Sequence, residues 1–375
     1  MFKQDYLEKK KEQLEQKKRY HASYLKAYET SLFERNDSQK EEKLKKKAKH
    51  FKHQEERFEA HAIAKNNALK KRIWEIDFLR AIVIFGMLID HFIQDFTMFF
   101  PKIFSYDDYW GNSFLYNANM NASVYTSSDF RWILRFIGII TLAILIGINT
   151  HFSKSNWKRF FVLFVFGTAI NLFYAVCATK GVLDITIMNI IMAYALSMLL
   201  YCICESAFKR FKKAWKWICL GIALVIFVSW GFVRYNTLNG LAAPLDNTFF
   251  AIFNNASSRI DSISCEFSEL TFSNWLEIIV GIRKFGTEWI GLFPIVGYVF
   301  LGSFIAQTVY KNKKSLLCHF DKEGEISTNE KFNRATSPFL FFGHHTILIY
   351  IFHQPVYTIL AWIIIGLFMG IPPIF

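Results

Sequence analysis

The chain has 375 residues, 53% of them apolar and 18% aromatic, with a net charge of +13. That apolar share excludes a soluble enzyme of ordinary composition and points to a polytopic membrane protein. The charge is concentrated: residues 1–72 hold 21 Lys/Arg against 12 Asp/Glu, a net +9, which leaves +4 for the other 303 residues. The basic balance therefore belongs to an N-terminal arm, not to a nucleic-acid groove, and anionic lipid headgroups are its natural electrostatic partner.

In chain order, residues 1–72 read as a charged cytoplasmic arm, helical or disordered. Leu44, Phe51 and Phe58 recur every seven residues, but one apolar position per heptad does not make a coiled-coil seam. The first apolar run begins near Ile76, with no cleavable signal peptide before it. Residues 73–375 read as one membrane domain. Its apolar stretches at 76–99, 132–150, 160–178, 182–204, 216–233, 289–310 and 345–370 are long enough to cross a bilayer. The expected fold is an all-α, polytopic helical bundle of about seven transmembrane helices. Loops 151–159, 206–216 and 311–337 hold 3, 5 and 6 Lys/Arg, whereas 101–130, 179–181 and 234–288 hold 1, 1 and 4. This alternation predicts an N-inside, C-outside, multi-pass protein of the cell membrane. The long outer segments, rich in Asn, Ser, Asp and aromatics, read as covers of a cavity mouth, with 241–253 and 276–286 as candidates to dip into the membrane. The six cysteines form no disulfide framework, and Cys202-x-Cys204 lacks the accompanying ligands of a metal site, so no metal is expected.

The first span carries Asp77, Arg80, Asp90, His91 and Asp95. Each ionisable group in hydrocarbon costs roughly 2.5–3.5 kcal/mol on an insertion scale, so such a helix must face a polar cavity. Arg80 and His91 are eleven positions apart, three turns and about 16 Å, and share one face. Desolvation favours a neutral His91 ring, the form that accepts a proton. Asp95, one turn further, is placed to hold the ring's other N–H. His91 and Asp95 are thus the candidate catalytic pair, with a carbonyl-bonded structural histidine as the alternative. The fork of Arg80 suits a phosphate; a local pair with Asp77 is the other use of it.

Beyond this helix, Glu288 opens the sixth span, as a ligand for substrate hydroxyls or as a solvated helix end. Arg131 and Arg135 read as interface anchors. In the last span His344 and His345 sit near the basic inner face, suited to headgroups or a carrier. His353 and Gln354, beside Pro355, either support a kink or line the cavity of His91. Asp90, Glu288, His353 and Gln354 are the candidate substrate contacts.

Three stretches carry a family likeness: Glu75-Ile-Asp-Phe-Leu-Arg80 with His91 eleven positions after the arginine, Leu292-Phe-Pro294-Ile-Val-Gly297-Tyr-Val-Phe-Leu-Gly302, and Gly343-His-His-Thr-Ile-Leu-Ile-Tyr350-Ile-Phe-His353-Gln-Pro355. In order and spacing they resemble the catalytic domain of heparan-α-glucosaminide N-acetyltransferase and its bacterial relatives, which belong with acyltransferase family 3, across about 72–370. The resemblance implies transfer of an acetyl group from cytoplasmic acetyl-CoA to a sugar amine or hydroxyl of an outer glycan, glycolipid or wall polymer. It assigns the family's arginine to Arg80 and its histidine to His91, and makes Arg80, His344 and His345 the expected acetyl-CoA contacts. Bacterial relatives often carry a histidine in the fourth span, where this chain reads Met188-Asn189, and tend to have arginine at the position of His344. A transporter or flippase, and a catalytically degenerate scaffold, are the competing expectations; homo-oligomerisation stays open.

Overall fold

The computed structural model describes residues 73–179, 181, 185–237, 266–286, 289–311, 316 and 330–374, together with Arg19. The rest of the arm, the segment 241–253 and Glu288 lie outside the described residues. The chain divides into two compact units, residues 1–72 with 329–335 and residues 73–328 with 336–375. The second unit carries the site residues discussed below, and among the described residues its named elements are all helices.

Helix α1 (Trp74–Met98) begins with Glu75 and Asp77 in its first turn, where acidic groups favour the positive end of the helix dipole. Its exposed residues Leu79, Ile82, Phe85, Ile89 and Phe92 follow steps of three and four, while Asp77, Ala81, Ile84, Asp90 and Asp95 are buried. The helix therefore turns an apolar stripe outward and its charges inward. That is the reverse of a soluble helix, and it is what lipid outside and a polar interior require.

Three short helices follow: α2 (Phe100–Ile103), α3 (Tyr106–Gly111) and α4 (Ser113–Ser127). They fold back over the far end of α1, with Phe99, Phe100, Ile103, Phe104, Tyr109 and Leu115 forming a cluster that also takes in Ile365 and Ile371. Asn112 caps α4 by accepting from the Phe114 and Leu115 N–H groups, and Ser128 caps the next helix through the Arg131 N–H.

That helix, α5 (Asp129–Phe152), is antiparallel to α1: Ile73 and Ile76 cluster with Leu145 and Ile148 at one end, and Arg131 reaches Asp90 toward the other. Then come α6 (Asn156–Ala178), α7 (Ile190–Ala207), α8 (Trp215–Thr237), the short α9 (Phe272–Val280), α10 (Ile295–Thr308), α11 (Glu330–His344) and α12 (Thr346–Ala361). The last is continued by a π-helical stretch, Trp362–Phe368. The main core joins α5, α7, α8 and α10 through Ile139, Ala143, Tyr194, Tyr201, Ala223, Val299 and Phe300. At the α5/α10 crossing a Cβ on Gly147 would run into the Val299 carbonyl oxygen and stand 2.9 Å from Gly302 Cα. Two glycines let the helix backbones touch.

Five helical stretches are long and apolar enough to cross a membrane: Asp129–Phe152, Asn156–Ala178, Ile190–Ala207, Trp215–Arg234 and Thr346–Phe368. The protein is an all-α, multi-pass membrane protein. Of the two further stretches expected from the sequence, α1 has the length but is heavily charged. The other, α10, is apolar but has 14 residues, roughly 21 Å of rise against a core of about 30 Å.

The predicted starts at 182 and 289 are corrected to Ile190 and Ile295, and the cause is local. Asn189 caps α7 by accepting from the Met192 N–H, and Pro294, which has no N–H of its own, caps α10. The non-helical stretches before them satisfy one another and the last carbonyls of α9: the Ile290 N–H donates to Met188 O at 2.8 Å, Leu292 N–H to Ile279 O and Phe293 N–H to Val280 O. Gly286, at φ +77°, packs against the Ile185 carbonyl, where a Cβ has no room. Irregular backbone in a membrane protein is tolerated where protein covers it, and Met188, Ile290 and Leu292 are buried.

Helix α12 runs parallel to α1. Gly343, just before it, packs on the Asp77 carbonyl near the start of α1, and the strand-like tail after it bridges Phe104 with Pro373 past the end of α1. Its helical assignment continues through Pro355 without a break.

Candidate active site

The pair α1 and α12 brings the sequence-selected residues together in tiers. Nearest the start of α1, Arg80 Nη1 donates to Asp77 Oδ1 at 2.9 Å and to Gly343 O at 3.2 Å. His344 Nε2 lies 3.3 Å from Asp77 Oδ2. The absence of a side chain at Gly343 makes this approach possible, since a Cβ there would collide with the Asp77 carbonyl. Arg159, near the start of α6, donates to Asn149 O at 2.6 Å. His345, exposed at the N-cap of α12, lies against Phe341 with 4.8 Å between ring centres.

Three turns along, His91 Nδ1 is 2.8 Å from His353 Nε2, and His353 Nδ1 is 2.5 Å from Tyr350 O. The His353 ring, 9% exposed, is flanked by Tyr350 and Tyr357. Tyr357 OH donates to Leu88 O at 2.9 Å, which ties α12 to α1 beside the imidazoles. One turn further, Gln354 Nε2 donates to Asp95 Oδ1 at 2.7 Å. His91 Nδ1 thus meets His353, and Asp95 receives the amide of Gln354. Helix α12 presents a second imidazole directly opposite the first.

Asp90 has a different environment. Arg131 Nε and Nη2 donate to its two oxygens at 2.6 and 3.2 Å, and Tyr125 OH donates to Oδ1 at 3.2 Å. Arg131 Nη2 also reaches Gln94 Oε1 at 2.6 Å, and Nη1 reaches the Thr126 carbonyl at 3.3 Å. Burial and the adjacent Asp90 carboxylate push the Tyr125 phenol up, keeping it a donor. Arg131, expected at a lipid interface, is instead 3% exposed. Sequence reasoning missed this partnership, although a signal existed: a carboxylate on an apolar helix needs a cation, and Arg131 is the first arginine after Asp90 in the chain.

The candidates thus separate into a guanidinium with acidic and imidazole neighbours at one end of α1, a coupled pair of imidazoles three turns on, and a carboxamide–carboxylate pair beyond. A guanidinium and a histidine at such spacing can hold an anionic carrier at one point and move a proton at another. Glu288 lies outside the described residues. No curated protein and no solved structure matches the chain. The sequence model described as heparan-alpha-glucosaminide N-acetyltransferase, catalytic, matches residues 72–355, the stretch that runs from just before α1 through His353 and Gln354. A match over three quarters of the chain, spanning both helices that carry the paired histidines, means that the protein belongs to this acyltransferase family.

Proposed function

We propose that the protein is an integral-membrane acyltransferase that takes an acetyl group from acetyl-CoA at the cytoplasmic face. It delivers that group to an amine or hydroxyl of a sugar on an outer glycan, glycolipid or wall polymer. The observation that carries the reading is the pairing of His91 with His353 three turns from Arg80, inside a chain of this family. Seven crossings, with α1 and α10 joining the five long apolar helices, agree with the loop charges and with parallel α1 and α12. In this arrangement the arm is inside and the C-terminus outside.

Arg80, with His344 on the other oxygen of Asp77, meets the phosphates of the carrier. A guanidinium offers five donors and forms bidentate pairs with phosphate oxygens. His345, on the same end of α12, is a further carrier contact. His91 accepts the proton of the attacking amine or hydroxyl as its nitrogen or oxygen bonds to the acetyl carbon. The thioester C–S bond breaks, and the departing thiolate recovers that proton from the imidazolium. Asp95 and Gln354, just beyond, offer polar groups to the acceptor sugar. Asp90 contributes indirectly, by fixing α1 through Arg131.

The test is acetyl transfer by detergent-purified protein from labelled acetyl-CoA to a panel of amino sugars and wall glycans. His91→Ala should lose at least about 10²–10⁴-fold in rate, the usual contribution of a general base, with an unchanged gel-filtration profile. Wild-type activity in that variant refutes the mechanism, and acetyl-CoA-independent uptake of a labelled solute would favour a transporter.

A further inference from the structure

We propose that His353 is a positioning residue: it locks His91 in one tautomer and thereby decides which ring nitrogen does the chemistry. This deepens the acyltransferase reading and rests on it for the kinetic consequences, although the tautomer itself does not. The argument begins at a backbone atom. Tyr350 O can only accept a hydrogen bond, so His353 Nδ1, 2.5 Å away, must carry a hydrogen. A neutral imidazole has one N–H, which makes His353 Nε2 an acceptor. His91 Nδ1 lies 2.8 Å from that acceptor and therefore carries the hydrogen of its own ring. The lone pair of His91 is left on Nε2, the atom that takes a proton from the acceptor group.

The opposite polarity would require a second hydrogen on His353. That would put a full charge on a ring 9% exposed, between Tyr350 and Tyr357, which burial opposes. The chain of bonds also has a dead end. A proton arriving at His91 Nε2 cannot pass through His353 unless the bond to the Tyr350 carbonyl breaks. It stays on His91, held by the Nδ1–H bond to His353, until the leaving thiolate takes it back. The arrangement plays the part of the carboxylate in a serine-hydrolase triad, with a neutral ring in place of a charge. A neutral orienting partner is the economical choice inside a bilayer, where a carboxylate adds its own desolvation cost.

Two measurements on the full-length protein in detergent test this. In the first, ¹⁵N-histidine NMR is recorded at mildly alkaline pH, above the ordinary histidine pKa of about 6.5. His91 is assigned by subtraction of the H91Q spectrum. Wild type should show His91 with Nδ1 protonated and Nε2 bare, and His353→Phe should move the proton toward Nε2. In the second, His353→Phe should lose roughly 10²-fold in kcat with KM for acetyl-CoA changed less than about threefold, the pattern of a lost transition-state interaction. His353→Gln, whose Oε1 still accepts from His91 Nδ1, should recover at least about tenfold of that loss, the share a restored hydrogen bond of about 1.4 kcal/mol carries. A purely structural role would move neither the tautomer nor the rescue. A wild-type His91 protonated at Nε2 overturns the proposal, and so does a well-folded Phe variant with wild-type kcat. Wild-type protein that transfers no acetyl group to any acceptor overturns the acyltransferase reading instead, and the NMR arm still decides the tautomer.

Discussion

Breaking the Asp90–Arg131 pair should destabilise the protein without altering how it binds substrate. The two side chains join α1 to the start of α5 through a two-point contact, 2.6 Å from Nε to Oδ1 and 3.2 Å from Nη2 to Oδ2, with residue exposures of 9% and 3%. Replacing Arg131 by Met leaves a buried carboxylate with only Tyr125 donating to it among these partners. Removing one member of such a pair costs about 3–5 kcal/mol, because the surviving charge stays buried. At about 2–4 °C per kcal/mol for a chain of this order, the loss in melting temperature is roughly 6–20 °C. Asp90→Asn should cost less, since the amide still offers an oxygen to Arg131. The double variant Asp90→Asn/Arg131→Met should recover at least about 1–2 kcal/mol of the single Arg131→Met loss, a coupling of the size seen for residues in contact. Thermal unfolding of the four proteins in one detergent, followed by tryptophan fluorescence, closes the cycle. Additive effects would refute the clasp. An Asp90→Asn protein of unchanged stability but raised acceptor KM would return Asp90 to the substrate-binding role its place on α1 first suggested.

Gly343→Ala forces a methyl group toward the Asp77 carbonyl, so the junction of α11 and α12 must move off α1. The Arg80 bond to Gly343 O is then lost, stability falls by about 1–3 kcal/mol as for other overpacked sites, and KM for acetyl-CoA rises. A Gly343→Ala protein with normal stability and KM would show that this contact does not set the Arg80 site. Asn189→Ala removes the cap of α7 together with the bonds to Gly167 O at 2.9 Å and Asn171 Oδ1 at 2.7 Å. A loss of about 1–3 kcal/mol should follow from the cap and the buried partners left behind, read as a lower melting temperature at unchanged kcat. If kcat falls while stability holds, Asn189 has a chemical role instead.

The helices themselves were legible because a bilayer writes its thickness into the chain: apolar runs of about twenty residues stand out whatever they pack against. The same pressure made α1 conspicuous, since five charged or titratable groups survive in lipid only if they face inward. Arg80 and His91 could be singled out from cost and helical spacing alone, and the turn geometry of one helix suffices for that. The two irregular starts were less visible. Hydropathy counts Ile187 and Ile290 as membrane residues, and nothing in their composition says that Ile290 N–H and Met188 O will find each other instead of a helical partner.

Partners across helices are the part that required tertiary structure. The sequence by itself determined a multi-pass all-α protein and a helix with its charges on one side, and it singled out His91 as a candidate. Which group touches that histidine was decided only when α12 came to lie parallel to α1, setting His353 against His91 and Gln354 against Asp95. Likewise Asp90 became part of a clasp, because α4 and α5 bring Tyr125 and Arg131 onto it. The reason is one of range: helical periodicity relates side chains within a few turns of one another, whereas residues some 260 positions apart meet only through the packing of whole helices.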